Sequence, residues 1–306
     1  MTSDTESTPR NHVSRLMRGP TYVIITPVRD EQGYIADAIR SVAAQTIPVT
    51  EWVIVDDGST DGTGALLDSY AREHRWISPI HLPNRGRRDA DIGAIGALLA
   101  GYKALKADRW EFLVNLDADI GLEPDYFEKC FEEFHRYPRL GIGGGTLYHY
   151  NKAGDAVTES CPKGHVRGAT KIYRHACWEA FGGLAEVPGW DTLDEIKASM
   201  AGWRTRSFAA IRALHKRPTG TADGNWRDAV KNGRCDYFLS YHPLFMVAKC
   251  LRRLAAKPYF INSLGHLWGY LGGYVKRRPQ IADPVVITFL RKQQLRRLLF
   301  LETSSR

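Results

Sequence analysis

The sequence predicts an α/β protein, a mostly parallel β-sheet covered by helices on both faces. Two observations predict it. From Thr21 to Leu147, apolar β-branched runs alternate with segments of helical apolar spacing, joined by short loops. Two acidic clusters, Asp56-Asp57 and Asp117-x-Asp119, each fall where a predicted strand ends. Functional residues of parallel sheets gather at that carboxyl edge, and two strands delivering acids to one edge is more than a single helix cap would explain.

The elements follow in order. TYVIITPV is a buried strand, GYIADAIRSVAAQ a helix, EWVIVDD a second strand and TGALLDSYAREH a second helix. ISPIHLP is a short third strand and DIGAIGALLAGYKAL a glycine-weakened helix. EFLVNLD is a fourth strand and EPDYFEKCFEEFHRY a fourth helix. Beyond Gly141 the alternation stops. GIGGGTLYHY and HVRGATKIY are expected as strands, and Arg174 to Phe181 as a helix broken by Gly182-Gly183. LDEIKASMAG is expected as a helix stopped by Gly202, and WRTRSF as a closing strand. This half is expected to wall a second binding site. The expected organisation is a loose tail over 1–19, one α/β domain over 20–234 (halves 20–120 and 121–234) and a helical segment over 235–306.

Of 306 residues, 42 are Lys or Arg and 34 Asp or Glu, but the charge is uneven. Residues 241–306 hold 12 basic against 2 acidic residues, leaving 30 against 32 for the rest. A near-neutral body therefore carries a basic C-terminal segment, where a polyanionic partner is expected to bind. The first 19 residues lack the apolar core of a secretory signal. Five scattered cysteines without a C-x-x-C point to a reduced, cytosolic compartment.

VIVDDGSTDGT reads as a strand ending in Asp56-Asp57, a turn at Gly58-Ser59, and a helix that Asp61 can cap. Two uses stay open for the acid pair: capping, or hydrogen bonds to the base and ribose of a nucleotide. The lack of G-x-G-x-x-G after the first strand, and of G-x-x-x-x-G-K-[ST] anywhere, argues against a dinucleotide fingerprint or a P-loop. NLDADIG, Asn115 to Gly121, invites a calcium-loop reading, with Glu128 twelfth from Asp117. That reading fails because the sixth position is Leu122 where glycine is needed, and because a strand precedes it. A hard divalent cation shared with substrate phosphates needs only one or two protein carboxylates, which D-x-D at a strand end offers.

Taken together, TPVRDE, VIVDDGSTDGT, NLDADI and a glycine pair before GWDTLDE resemble, in order and spacing, the inverting glycosyltransferases of family 2. The resemblance covers roughly Thr21 to Phe208. It implies the GT-A fold, a Rossmann-like nucleotide-diphospho-sugar transferase architecture with a mixed sheet and helices on both faces, here extended by C-terminal amphipathic helices. It implies donor-nucleotide contacts from Pro27, Arg29, Glu31, Asp56, Asp57 and Asp117. It further implies a divalent metal, Mn2+ or Mg2+, held by Asp119 with Asp117 on the donor diphosphate. The family's base lies in an E-D pair about eleven residues before a glycine. Asp191 stands at that distance from Gly202, with Trp190 in place of the glutamate and with Asp194 and Glu195 as competitors. His215 in LHKRPTG matches an extra metal ligand of some relatives, and Arg217 a diphosphate partner; a solvated basic loop is the other reading. NRGRRDAD resembles the loop that closes on the donor, with Arg87 and Arg88 as candidates.

The chemistry so implied is one displacement. Charge building on the leaving diphosphate is neutralised by the cation, and a carboxylate takes the proton of the attacking hydroxyl. A nucleotidyltransferase usually carries a glycine-rich basic first loop, where this chain has PVRDEQGY. An inactive membrane adaptor would have no need of Asp117, Asp119 and Asp191 together.

PYFINSLGHLWGYLGGYV is 18 uncharged residues with four glycines, short of the about 20 predominantly apolar residues of a span. Its tyrosines and Trp268, bracketed by Lys257 and by Lys276, Arg277 and Arg278, suit helices on an anionic leaflet. Ordinary packing on the body is the alternative. No nucleic-acid motif occurs. The expectation is a peripheral, monotopic enzyme at the inner face of the plasma membrane. Its acceptor would be membrane-bound, a lipid-linked sugar in surface polysaccharide or glycolipid assembly.

Overall fold

Strands that are apolar at every position, not alternately, belong to a sheet buried on both faces. In the computed structural model, which describes residues 19–86, 93–159, 161, 164–217, 224–254 and 260–299, the first half is built this way. It runs β1 (Tyr22–Val28), α1 (Ile35–Ala43), β2 (Glu51–Asp56), α2 (Thr63–Glu73), β3 (Ile77–His81), α3 (Gly93–Lys103) and β4 (Phe112–Leu116). β2 and β4 are buried throughout and β1 at all but one position. Along β1 the side chains alternate between two cores. Tyr22 and Ile24 join Phe112, Phe127 and Phe131 on one face, while Val23 and Ile25 join Val53, Leu98 and Trp178 on the other.

The second half contains β5 (Ile120–Leu122), α4 (Tyr126–Arg136), β6 (Leu140–Tyr150), β7 (Ala156–Thr158), β8 (Thr170–Arg174), α5 (His175–Phe181), α6 (Trp190–Met200) and β9 (Arg204–His215). The sheet order is β3-β2-β1-β4-β8-β6-β9-β5, with β7 paired to β6. β1 to β4 are mutually parallel; β8 joins β4 antiparallel, and β5 joins β9 antiparallel. The expected GT-A-type mixed sheet with helices on both faces is what forms.

Three expected boundaries move. The strand expected over 165–173 is confined to Thr170–Arg174, because His165 and Val166 turn aside to bond Glu195. The helix expected from Leu193 begins at Trp190, which puts Asp191 in its first turn. The closing strand runs on to His215, so that residue lies on a strand and not in a loop. Neither β5 nor β7 is anticipated by the sequence; at three residues each they are too short to show a period.

The chain ends in α7 (Asn225–Phe238), α8 (Pro243–Arg253), α9 (Ile261–Val275) and α10 (Pro284–Leu298). α7 crosses the 234/235 boundary expected from composition, since Val230 and Tyr237 on one helix serve the same packing face. The tail residues 1–18 and Lys257 lie outside the described residues. α9 packs on α7 through glycines. A Cβ at Gly233 would strike the His266 carbonyl, and one at Gly269 the Val230 carbonyl. Between these helices Asp236 Oδ2 accepts from Lys249 Nζ at 2.5 Å and faces His266 Nε2 at 2.7 Å. α10 closes against α6 through Val286, Leu290, Leu193 and Ile196. No helix among the described residues is long and apolar enough to cross a membrane.

Because the α7–α9 obstacle is backbone on both sides, Gly269→Val is expected to cost about 3 kcal/mol or more in chemical denaturation. Trp268→Ala, one residue away on a face 69 % exposed, is expected to change stability by about 0.5 kcal/mol or less. Equal effects of the two would show that the glycine contact is not what holds the helices together.

Candidate functional site

The carboxyl ends of β1, β2 and β4 carry the first cluster. Two loops lock together there. Asp30, held at a left-handed φ of 56°, accepts from Thr60 N–H at 2.7 Å, and its own N–H reaches Ser59 Oγ at 2.9 Å. Glu31 N–H donates to Thr63 Oγ1 and Gln32 N–H to Asp61 Oδ2. The polar residues of the S-T-D-G-T run therefore brace the loop after β1, and Asp61 also caps α2 by accepting from Thr63 N–H at 2.9 Å. Gly58 makes the turn with φ 71°, pressed against the Asn84 backbone where a Cβ would not fit.

Asp56 and Asp57 then part. Asp56 Oδ1 accepts from Ser59 N–H at 2.8 Å, and Oδ2 lies 3.1 Å from His81 Nδ1. That hydrogen bond, with Asp68 at the other ring nitrogen, raises His81 above the ordinary imidazole range. Asp57 instead meets Arg85 Nη2 through both oxygens, at 2.7 and 2.8 Å, with Arg29 Nη1 at 3.9 Å. In this cluster Arg85 and His81 are the residues that sequence reasoning missed; Arg87 and Arg88, which it named, lie outside the described residues. Pro27 lies on β1 in register with Val55, and Val28 with Asp56, so the β1 loop opens beside the acid pair.

Asp117 and Asp119 follow β4. The Asp117 N–H donates to Ala169 O, and Asn115 Nδ2 to Gly168 O, which ties the D-x-D to the turn before β8. β5 then pairs Ile120 with His215 and brings β9 alongside. As a result His215 Nε2 faces Asp119 Oδ1 at 3.7 Å, while its Nδ1 sits 2.6 Å from Glu159 Oε1. Arg217 binds Asp119 Oδ2 through Nε at 3.1 Å and Glu31 Oε1 through Nη2 at 2.5 Å, its guanidinium over the Tyr34 ring. His215 is therefore buried on a strand, and Arg217, in the bend just after it, is partly exposed but ion-paired. Burial and then the Asp119 charge push Asp117 up to about 7. Burial works against a charged His215, but Asp119 and Glu159 outweigh it and raise it to about 9.

These residues fit a hard divalent cation by donor type: two carboxylates and an imidazole. No group of three or more such side chains is gathered around a point among the described residues. Arg217 is the cation that balances Asp119.

The second cluster lies one strand over. Asn115 on β4 pairs with Lys171 on β8, and the Lys171 ammonium is fully buried. It donates to the Asp191 carbonyl at 2.5 Å, to Asp194 at 3.1 and 3.2 Å, and lies 3.1 Å from Glu195 Oε1. Tyr173 OH donates to Asp194 at 2.6 Å, and His165 Nδ1 lies 2.8 Å from Glu195. Burial pushes Asp194 up to about 7. It also works to raise Glu195, but Lys171 and His165 outweigh it and hold that carboxyl below its usual range. Asp194 and Glu195 thus spend their carboxylates inside the fold. Asp191 gives Lys171 its carbonyl and keeps its carboxylate in the partly exposed first turn of α6. Trp190 packs beside the second core, its ring tip reaching the Gly168 turn next to Asn115.

The sheet order and its acid-bearing edge define a nucleotide-diphospho-sugar transferase architecture, and comparison with known proteins agrees. The model of glycosyl transferase family 2 matches residues 23–181. The chain belongs to that family. It is 31 % identical over 219 residues to the assigned glycosyltransferase EpsH of Bacillus subtilis (strain 168), covering 66 % of this chain and 60 % of EpsH. It is 34 % identical over 148 residues to the assigned teichuronic acid biosynthesis glycosyltransferase TuaG of the same organism, covering 45 % and 55 %. The chain thus spans little more than half the length of these relatives. Among solved structures, the mannosyltransferase PcManGT from Pyrobaculum calidifontis matches with TM-score 0.54 at 17 % identity, over 93 % of this chain and 76 % of that one. TarS (1–349) of S. aureus matches with TM-score 0.50 at 18 % identity, over 84 % and 72 %. Both likenesses are of fold.

Replacing Lys171 by Met leaves Asp194 and Glu195 buried without their cation. The expected loss is about 3–5 kcal/mol in urea unfolding. A loss near zero would show that the two acids are neutral in the folded protein.

Proposed function

We propose that the chain transfers a sugar, with inversion, from a nucleotide-diphosphate donor to a hydroxyl of a membrane-bound acceptor. The observation that carries this reading is the meeting of Asp119, His215 and Arg217 at the edge where β1, β2 and β4 end. Donor chemistry has its groups there. Asp57, with Pro27 near the end of β1 and Arg29 and Glu31 on the loop after it, is assigned to the nucleotide, together with Asp56 and Asp117. Asp119, Asp117 and His215 are assigned to a divalent ion, and Arg217 to the diphosphate. A bound Mn2+ or Mg2+ would supply charge neutralisation for the leaving diphosphate. The PcManGT crystal contains GDP-Man and Mn2+, and a TarS crystal contains UDP, which supports the donor class.

Asp191 is assigned as the base. Its carboxylate is the one of the three acids on α6 that hydrogen bonds of the Lys171 cluster leave unspent, and it lies in the first turn of that helix. The Lys171 ammonium holds the carbonyl end of the residue to β8, the strand paired with β4, which supports the assignment. The acceptor hydroxyl would lose its proton to Asp191 as it attacks the anomeric carbon opposite the diphosphate, and a single displacement inverts that centre.

The acceptor reading rests on the C-terminal helices. α9 exposes Leu264, Trp268, Leu271 and Val275 along one face, and α8 exposes Leu244, Val247 and Leu251. The exposed Lys276, Arg277 and Arg278 follow directly. Apolar faces bordered by basic residues suit the headgroup zone of an anionic leaflet. The helices also pack on the body, through Val286 and Leu290 of α10 among others, and leave these apolar faces outward. Relatives named for teichuronic acid biosynthesis and chondroitin synthesis support a place in surface polysaccharide or glycolipid assembly. The five free cysteines and the basic face fit peripheral attachment at the inner face of the plasma membrane.

Asp191→Asn is expected to lower kcat by about 10²–10⁴-fold while donor affinity, read by thermal shift, stays within twofold. Asp119→Ala is expected to lose transfer and metal-dependent donor binding together; turnover indifferent to chelator would sink the metal assignment. Full-length protein should float with phosphatidylserine vesicles at low salt and be released at high salt. Failure to float at low salt removes the membrane-acceptor reading.

A further inference from the structure

We propose that Glu159 is a positioning residue for the metal site, fixing the His215 ring so that Nε2 is the nitrogen presented to Asp119. The inference rests on the metal reading above and extends it to a residue in the other half of the molecule. β7 is exposed at all three of its positions, yet Glu159, the next residue, has a side chain only 6 % exposed. Its backbone N–H donates to Leu147 O at 2.9 Å, which anchors it against β6. Its Oε1 stands 2.6 Å from His215 Nδ1, with His149 Nδ1 at 3.9 Å from the same oxygen. The ring of His215 thus lies between two carboxylates, Glu159 on one nitrogen and Asp119, at 3.7 Å, on the other.

To ligate a cation the imidazole gives up one proton and keeps a single N–H. When Nδ1–H is donated to a carboxylate, the lone pair is left on Nε2, and the ring cannot flip without losing that bond. A carboxylate in this position also makes the opposite nitrogen a better donor to a cation. Glu159 therefore selects both the tautomer and the direction of His215. A hairpin without catalytic side chains of its own becomes a support for the donor site. A purely structural Glu159 would hold the hairpin to the body and leave metal affinity alone.

The test is Mn2+ binding to the full chain without nucleotide, followed by electron paramagnetic resonance, with thermal unfolding in parallel. Glu159→Gln keeps the shape and a neutral acceptor. It is expected to weaken Mn2+ binding by about tenfold or more with an unchanged Tm. His215→Ala is expected to weaken it at least as much. The double variant is expected to bind no more weakly than His215→Ala alone, because Glu159 acts through His215. Unchanged affinity in Glu159→Gln beside a weakened His215→Ala, or additive losses in the double variant, overturns the proposal and leaves the metal reading standing. Unchanged affinity in both His215→Ala and Asp119→Ala overturns the metal reading itself, and this proposal with it.

Discussion

A lysine ammonium with no access to solvent sits under the start of α6 and binds three of its first six residues. Stripping an ammonium and two carboxylates of water is costly, and their attraction repays it only where hydrogen bonds saturate the group. Here they do, with Tyr173, His165 and the Val166 N–H completing the shell. Lys171 belongs to the strand beside β4, so the strand that ends in the D-x-D and the helix that begins with Asp191 are held through one side chain. The sheet on the donor side and the helix on the other side of the site are fixed relative to each other by that contact.

The donor half was legible from the sequence because its strands are long, apolar and bounded by turn residues, and because strand ends in a parallel sheet collect polar groups at one edge. Asp56, Asp57, Asp117 and Asp119 stand at that edge. What the sequence did not carry was pairing across distance. From its own neighbourhood His215 was readable as a histidine after a strand, and only the family resemblance offered it as a metal ligand. Its place beside Asp119 depends on β5, three residues whose register with β9 no local pattern announces. Arg85 was hidden for a different reason, since one arginine among several in an exposed loop has no spacing to distinguish it. That Asp194 and Glu195 are spent on Lys171 was likewise hidden, since that lysine stands more than twenty positions before either and no local pattern shows its burial.

The acids at the strand-end edge are partly balanced from within. Arg217 spans Glu31 and Asp119, and Arg85 covers Asp57, so three of the acids at that edge already have a cation. Such pairs keep like charges from repelling across a crowded edge.

The glycine contact between α7 and α9 divides α9 into two surfaces with different freedoms. On one, any added carbon meets main chain, so register and rotation of the helix are set and substitution is closed. On the other, Leu264, Trp268, Leu271 and Val275 are largely exposed and carry little of the packing. A rigid mount with an interchangeable face is the result: the outward residues can be rewritten for a different surface chemistry without disturbing how the helix is seated.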